Sequence, residues 1–348
     1  MSDLNNGPLT KFDSQKMLDR VLHFPDQVQQ AKERAESFEL KLAPSQISNV
    51  CITGMGGSAI GGDIVHALLA EQLRIPVFVN RDYTLPEFID HNSLVFVSSY
   101  SGNTEETLSA YDRARQKTAH IVGITSGGVL TEKALSHGYP VFTIPAGFQP
   151  RAALGYMSIS LLYGFYYAGL IENPETAILE TVAVLGKLKE AYHPTREDNP
   201  AIELSRKLFG KIPLIYASAT RFAPVAQRWK GQFSENSKVL AFANAFPELN
   251  HNEIVGWGPC TVLNKTFQVI FLKDKADHEQ IKKRMEITKE IIENHSSAVL
   301  EVESTGDSLL ARLFSLIFLG DMSSLYLAAM NKVDPTPVKN IDYLKSRM

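Results

Sequence analysis

Residues 92–107 constrain the fold more than any other stretch. Leu94, Val95, Phe96 and Val97 form a run rich in β-branched and aromatic side chains, the pattern of a strand buried on both faces of a parallel sheet. The run gives way at once to Ser98, Ser99, Ser101 and Thr104 around Gly102. Glu105 and Glu106 then follow Thr104, as acids do in a first helical turn. A strand, a tight turn and a helix in that order aim backbone N–H groups and the positive end of a helix at one place. The natural occupant is an anion, above all a phosphate. Ser99, Ser101 and Thr104 can add hydroxyl donors, and Gly102 lets a backbone approach closely. An ordinary helix cap is the plain alternative; four serine or threonine side chains and a glycine between Ser98 and Thr104 favour the phosphate site.

The same alternation runs along the chain. Strand-like segments at 47–53, 76–79, 94–97, 120–125 and 140–144 are separated by helical ones. The polar, proline-punctuated stretch 189–200 reads as a linker. The pattern then restarts, with strand-like segments at 212–217, 267–272 and 298–302, a short apolar one at 239–242, and helical ones at 220–236, 278–294 and 309–330. Strands alternating with helices predict an α/β fold of doubly wound parallel sheets, flavodoxin-like and three-layered. A length of 348 residues suits two domains. The expected organisation is an N-terminal helical segment over 1–44 packed on the core, a first domain over 45–190 and a second over 200–348. Pro25 is expected to divide the helical region 9–40 in two.

A net charge of −3 makes no electrostatic case for nucleic acid. Residues 152–170 carry no charge and are nearly long enough to span a bilayer. Their serines, tyrosines and glycines, between Arg151 and Glu172, read instead as a helix buried between layers. No membrane partner is expected. The N-terminus lacks a basic region followed by an apolar one, so it does not read as a signal peptide and a cytoplasmic protein is expected. Of the two cysteines, Cys51 lies in an apolar run and is expected to be a buried free thiol.

Gly54, Gly56, Gly57, Ser58, Gly61 and Gly62 follow the first strand directly. Gly54, Gly56 and Ala59 match the dinucleotide fingerprint G-x-G-x-x-A, which raises a nicotinamide-dependent oxidoreductase as a rival. The acid that would confirm it is missing: the second strand ends in Asn80, with Asp82 beyond. Further chemistry is carried by Arg151, at the head of the uncharged segment, and by Glu235, Glu248, Glu253 and His251 within a short span. A carboxylate and a histidine suit proton transfer. Spacing alone does not choose among the three glutamates.

The run from Ser99 to Glu106 resembles the phosphate-binding turn of sugar isomerase (SIS) domains. Four further segments resemble the bifunctional phosphoglucose/phosphomannose isomerases: Pro150 to Leu154, Glu235 to Lys238, Asn250 to Glu253, and Asp334 to Pro337. The resemblance covers the chain from about residue 45 to its end. It implies two SIS domains, with the C-terminal tail returning to the active site. It implies aldose–ketose interconversion of glucose 6-phosphate and mannose 6-phosphate with fructose 6-phosphate. The route is ring opening followed by proton transfer through a cis-enediol, with no metal and no other cofactor. Carried over residue by residue, Glu235 is the base, His251 the ring-opening group and Arg151 the stabiliser of enediolate charge, with Glu248 as reserve base. Gly56, Gly57, Ser58, Ser99, Ser101 and Thr104 contact the phosphosugar. Thr336 helps accommodate both C2 epimers. A tail lysine reaches the substrate; both Lys339 and Lys345 fit the pattern, and Lys345 is preferred because the family residue lies almost at the chain end. The family implies a homodimer in which the histidine comes from the neighbouring subunit. A non-catalytic SIS protein that senses a phosphosugar is the second rival.

Overall fold

The computed structural model describes residues 11–38, 40, 47–258, 261–295 and 298–348. They fall into two compact units, Phe24–Ala183 with Ser308–Leu310, and Met1–His23, Val184–Asp307 and Ala311–Met348.

Ahead of the first sheet lie helices α1 (Met17–Leu22) and α2 (Phe24–Ala35). The break falls at His23, so Pro25 sits in the first turn of α2 rather than inside a helix, where its missing N–H costs nothing. The first sheet is built from β1 (Asn49–Thr53), α3 (Gly56–Leu69), β2 (Val77–Asn80), β3 (Ser93–Ser98), α4 (Glu105–Lys117), β4 (His120–Thr125), α5 (Gly128–Ser136) and β5 (Val141–Thr143). A short 3₁₀ turn, Pro150–Ala152, leads into α6 (Leu154–Tyr167). The strands are all parallel, in the order β2-β1-β3-β4-β5. That is the flavodoxin-like order, whose ligand place lies where the winding reverses, between β1 and β3.

Helix α7 (Glu175–Ala191) and helix α8 (Pro200–Leu208) flank the polar stretch 189–200. That stretch is the last turn of α7, a turn, and Asn199, whose side chain caps α8 by accepting from Ala201 N and Ile202 N. The second sheet follows as β6 (Ile212–Ser218), α9 (Ala223–Glu235), β7 (Phe242–Phe246), two 3₁₀ turns at Glu248–His251 and Glu253–Gly256, α10 (Thr261–Asn264), β8 (Phe267–Lys273), α11 (Glu279–Glu293) and β9 (Leu300–Glu303). Its order is β7-β6-β8-β9, again all parallel. The chain closes with α12 (Leu309–Met330) and α13 (Lys339–Lys345).

The central strands β1 and β3 are buried along their whole length, which is why their sequences are continuously apolar rather than alternating. Cys51 is among them, a buried free thiol; Cys260 lies outside the described residues. The uncharged segment forms the fourteen-residue α6, with its first twelve residues buried. Among the described residues, α12 alone is long and apolar enough to cross a membrane, and 94% of that window is buried inside the protein, as in a core helix.

Candidate active site

In the first unit, the turns after β1 and β3 meet at the reversal point of the sheet. Met55 precedes α3 in extended backbone without a side-chain cap, and Gly56 opens the helix with φ 50°. Ser58 is buried, and its Oγ accepts a hydrogen bond from Tyr100 N at 3.1 Å. Across the gap, Ser99 Oγ donates to Thr104 Oγ1 at 3.0 Å, and Ser101 Oγ accepts from Asn103 N at 3.2 Å. Thr104 is the N-cap residue of α4, extended and without a side-chain cap bond. The N–H groups of the first turns of α3 and α4 therefore face this end of the sheet without a capping side chain. That is the environment in which an anion is stabilised. Gly102 has φ 68°, and a Cβ there would lie 1.8 Å from Gly127 O, so no other residue closes this turn.

Arg151 arrives from β5 in the 3₁₀ turn and is only 5% exposed. Tyr100 fastens the preceding loop, its Oη donating to Pro145 O at 3.0 Å and accepting from Phe148 N at 2.8 Å. Gln27 Nε2 donates to Ala152 O at 2.8 Å. A Cβ on Gly57 would lie 2.9 Å from both C and O of Pro150 and 3.1 Å from Arg151 N. The absence of a side chain at Gly57 is thus what brings the backbone of Arg151 against the first glycine-rich turn. The structure gathers Gly56, Gly57, Ser58, Ser99, Ser101, Thr104 and Arg151 at one end of one sheet. Asn80, where a dinucleotide site would want an acid, is buried. Its amide donates to Thr53 Oγ1, Asp82 O and Thr84 O at 3.3, 3.1 and 3.0 Å.

In the second unit, Glu235 is the half-buried last residue of α9. That helix buries Val225, Ala226, Trp229, Gln232 and Phe233 at helical spacing. It is fixed to α12 by a buried pair in which Arg228 Nε and Nη2 donate to Asp321 Oδ1 and Oδ2 at 3.0 and 2.5 Å. Trp229 Nε1 donates to Leu316 O at 2.9 Å. Just past Glu235, Asn236 Nδ2 donates to Ser324 Oγ at 2.9 Å and Ser237 Oγ to Ser324 O at 2.6 Å. Lys238 Nζ donates to the carbonyls of Glu235, Pro335 and Pro337. Those last two bracket Thr336, which is buried and whose N–H donates to Asp334 Oδ1 at 2.9 Å. Lys339 and Lys345 are exposed at the two ends of α13.

His251 ends a 3₁₀ turn and is exposed. Its loop is anchored by Leu249 and Trp257, both buried, and above all by Glu253. That carboxylate accepts from Tyr216 Oη and, at 2.5 Å, from Asn244 Nδ2. Burial and the neighbouring Glu253 both push the Tyr216 phenol far above its ordinary range, so it keeps its proton and donates. Glu248 is exposed and accepts from Asn252 Nδ2 at 2.8 Å. Tyr100 and Lys238 lie inside the Ser99–Glu106 and Glu235–Lys238 segments, and nothing in the sequence gives either a role. No spacing rule reveals that each one's side chain ties together segments distant along the chain.

Two parallel sheets of this order, one with a hydroxyl-lined reversal point, are consistent with the sugar isomerase class. The family model described as SIS domain matches residues 45–134, and that described as bacterial phospho-glucose isomerase C-terminal SIS domain matches residues 197–348. Solved structures of the same fold include a glucosamine-6-phosphate deaminase from Thermotoga maritima, with TM-score 0.67 and 19% identity, covering 93% of this chain and 98% of that one. A glucose-6-phosphate isomerase like protein from Thermus thermophilus gives TM-score 0.64 and 18% identity, covering 98% and 100%. In sequence the chain is 48% identical to a bifunctional phosphoglucose/phosphomannose isomerase of Caldicellulosiruptor bescii, over 95% of this chain and 98% of that protein. It is 37% identical to one of Aquifex aeolicus, over 86% and 90%. The chain belongs to the bifunctional phosphoglucose/phosphomannose isomerase family.

Proposed function

We propose that the protein interconverts glucose 6-phosphate and mannose 6-phosphate with fructose 6-phosphate by ring opening and a metal-free cis-enediol proton transfer. The observation that carries this reading is the contact between the two hydroxylated turns, Tyr100 N on Ser58 Oγ, with Arg151 brought against Gly57 beside them. Ser58, Ser99, Ser101 and Thr104, with the N–H groups of Gly56, Gly57 and the α4 terminus, hold the phosphosugar. His251 protonates the ring oxygen as the hemiacetal opens. Glu235 takes the proton from C2 and returns it to C1, or the reverse. The Arg151 guanidinium stabilises the charge that grows on the enediolate oxygen. Thr336 lies beside C2, and Lys345 approaches from the tail. The locked state of Glu253 and the exposure of Glu248 support Glu235 as the base.

A coupled assay of fructose 6-phosphate formation from each aldose, in EDTA and with Glu235→Gln alongside, tests the reading. Wild-type turnover of both sugars with a loss of about 10²–10⁴-fold in the variant is expected. Phosphosugar binding without turnover would favour a sensor. The protein is expected to act as a homodimer in the cytoplasm, with His251 supplied by the neighbouring subunit. Mixing inactive Glu235→Ala and His251→Ala subunits then restores activity in heterodimers. No recovery on mixing would rule out shared sites.

A further inference from the structure

Lys238 occupies a backbone position that disfavours it. Its φ is 58°, in the left-handed region where a side chain with a Cβ is strained and glycine is not. What offsets that strain is the ammonium. It presents three N–H donors, and three carbonyls accept from it: that of Glu235, that of Pro335 at 3.2 Å and that of Pro337 at 2.7 Å. Pro335 and Pro337 have no N–H of their own. Their carbonyls are what the Asp334–Pro337 segment offers at those positions for fixing its register. Thr336 lies between them.

We propose that Lys238 is a positioning residue that sets the spacing between Glu235 and Thr336, and through it the relative rates on the two C2 epimers. The inference rests on the functional reading above, in which Glu235 moves the C1–C2 proton and Thr336 lies beside C2. The epimers exchange hydrogen and hydroxyl at C2. One base serves both only if the group next to C2 keeps a fixed distance from it while tolerating either arrangement, and small displacements at a reacting centre carry large rate costs. The cation that clamps the end of the base's helix to both neighbours of Thr336 supplies that distance.

The test compares wild type, Lys238→Gly and Lys238→Arg on both aldose phosphates. Glycine suits the left-handed backbone, so Lys238→Gly removes the ammonium while relieving the strain, and thermal unfolding checks whether it folds. The expected result is a fall in kcat of roughly 10–100-fold with KM little changed. The ratio of kcat/KM for glucose 6-phosphate over mannose 6-phosphate should move by about threefold or more. Lys238→Arg, which keeps a donor, should recover part of both. If Lys238→Gly does not fold, the Lys238→Arg ratio decides alone. A ratio equal to that of wild type, even with an equal loss of kcat on both sugars, overturns the inference and leaves Lys238 a structural clamp. Glu235→Gln is assayed in parallel. Retained activity there brings down the functional reading and the inference together. Its loss, with wild-type behaviour of Lys238→Gly, brings down the inference alone.

Discussion

The two sheets share one topology and fill their reversal points in opposite ways. Between β1 and β3, the chain places glycine and hydroxyl side chains before helices that lack side-chain caps. Between β6 and β8, the corresponding turn carries Asp274 and Asp277. Asp274 N donates to Asp277 Oδ2 and Ala276 N to Asp274 Oδ1, both at 2.9 Å. Arg312 Nε at 2.8 Å and Ser304 Oγ at 2.5 Å complete the shell of Asp274. His278 caps α11 by accepting from Gln280 N at 3.1 Å. The protein's own carboxylates and cap take up the donors that an anion would otherwise meet. Topology offers a ligand place at each sheet, and residue choice decides which one stays open.

The largest way to break that comparison is to empty the second turn. Asp274→Asn takes from Arg312, 7% exposed, the buried carboxylate charge it is paired to. Removing one partner of a buried pair costs about 3–5 kcal/mol, which urea unfolding should register as a lowered midpoint. KM for glucose 6-phosphate in the surviving folded enzyme should not change if the substrate sits at the first reversal point, as proposed. A raised KM with unchanged stability would mean the second reversal point is a working site.

A smaller effect compares the two sheet cores. Burial pushes the Cys51 thiol on β1 from its ordinary 9.0 up to about 12, and the Tyr216 phenol on β6 is raised by burial and by Glu253. Both groups bind their protons more tightly when folded. Their contribution is therefore complete below the ordinary pKa and is lost as pH rises toward the folded one. Stability should fall between about pH 9 and pH 12, and Cys51→Ala should flatten part of that slope. An unchanged slope in Cys51→Ala would show that the thiol is not held protonated by the fold.

The central strands of both sheets were legible because full burial writes a continuous apolar run. β7 was not: the apolar residues 239–242 suggested it, yet the strand is Phe242–Phe246. It is an edge strand, largely half-exposed, so its pattern is weak. The residues that could carry the chemistry were legible as types in turns, whereas their selection was not. Glu253 is held by Tyr216 and Asn244, and neither lies near it in a pattern that sequence displays. Lys238 likewise gains its meaning from Pro335 and Pro337, ninety-seven and ninety-nine residues away.

The most direct measurement is calorimetric titration of glucose 6-phosphate into the Glu235→Gln protein, beside the same protein carrying Ser101→Ala and Thr104→Val. The account predicts one site per chain, weakened about tenfold or more by the two cradle substitutions. Two sites per chain, or one that the cradle substitutions leave untouched, would contradict it.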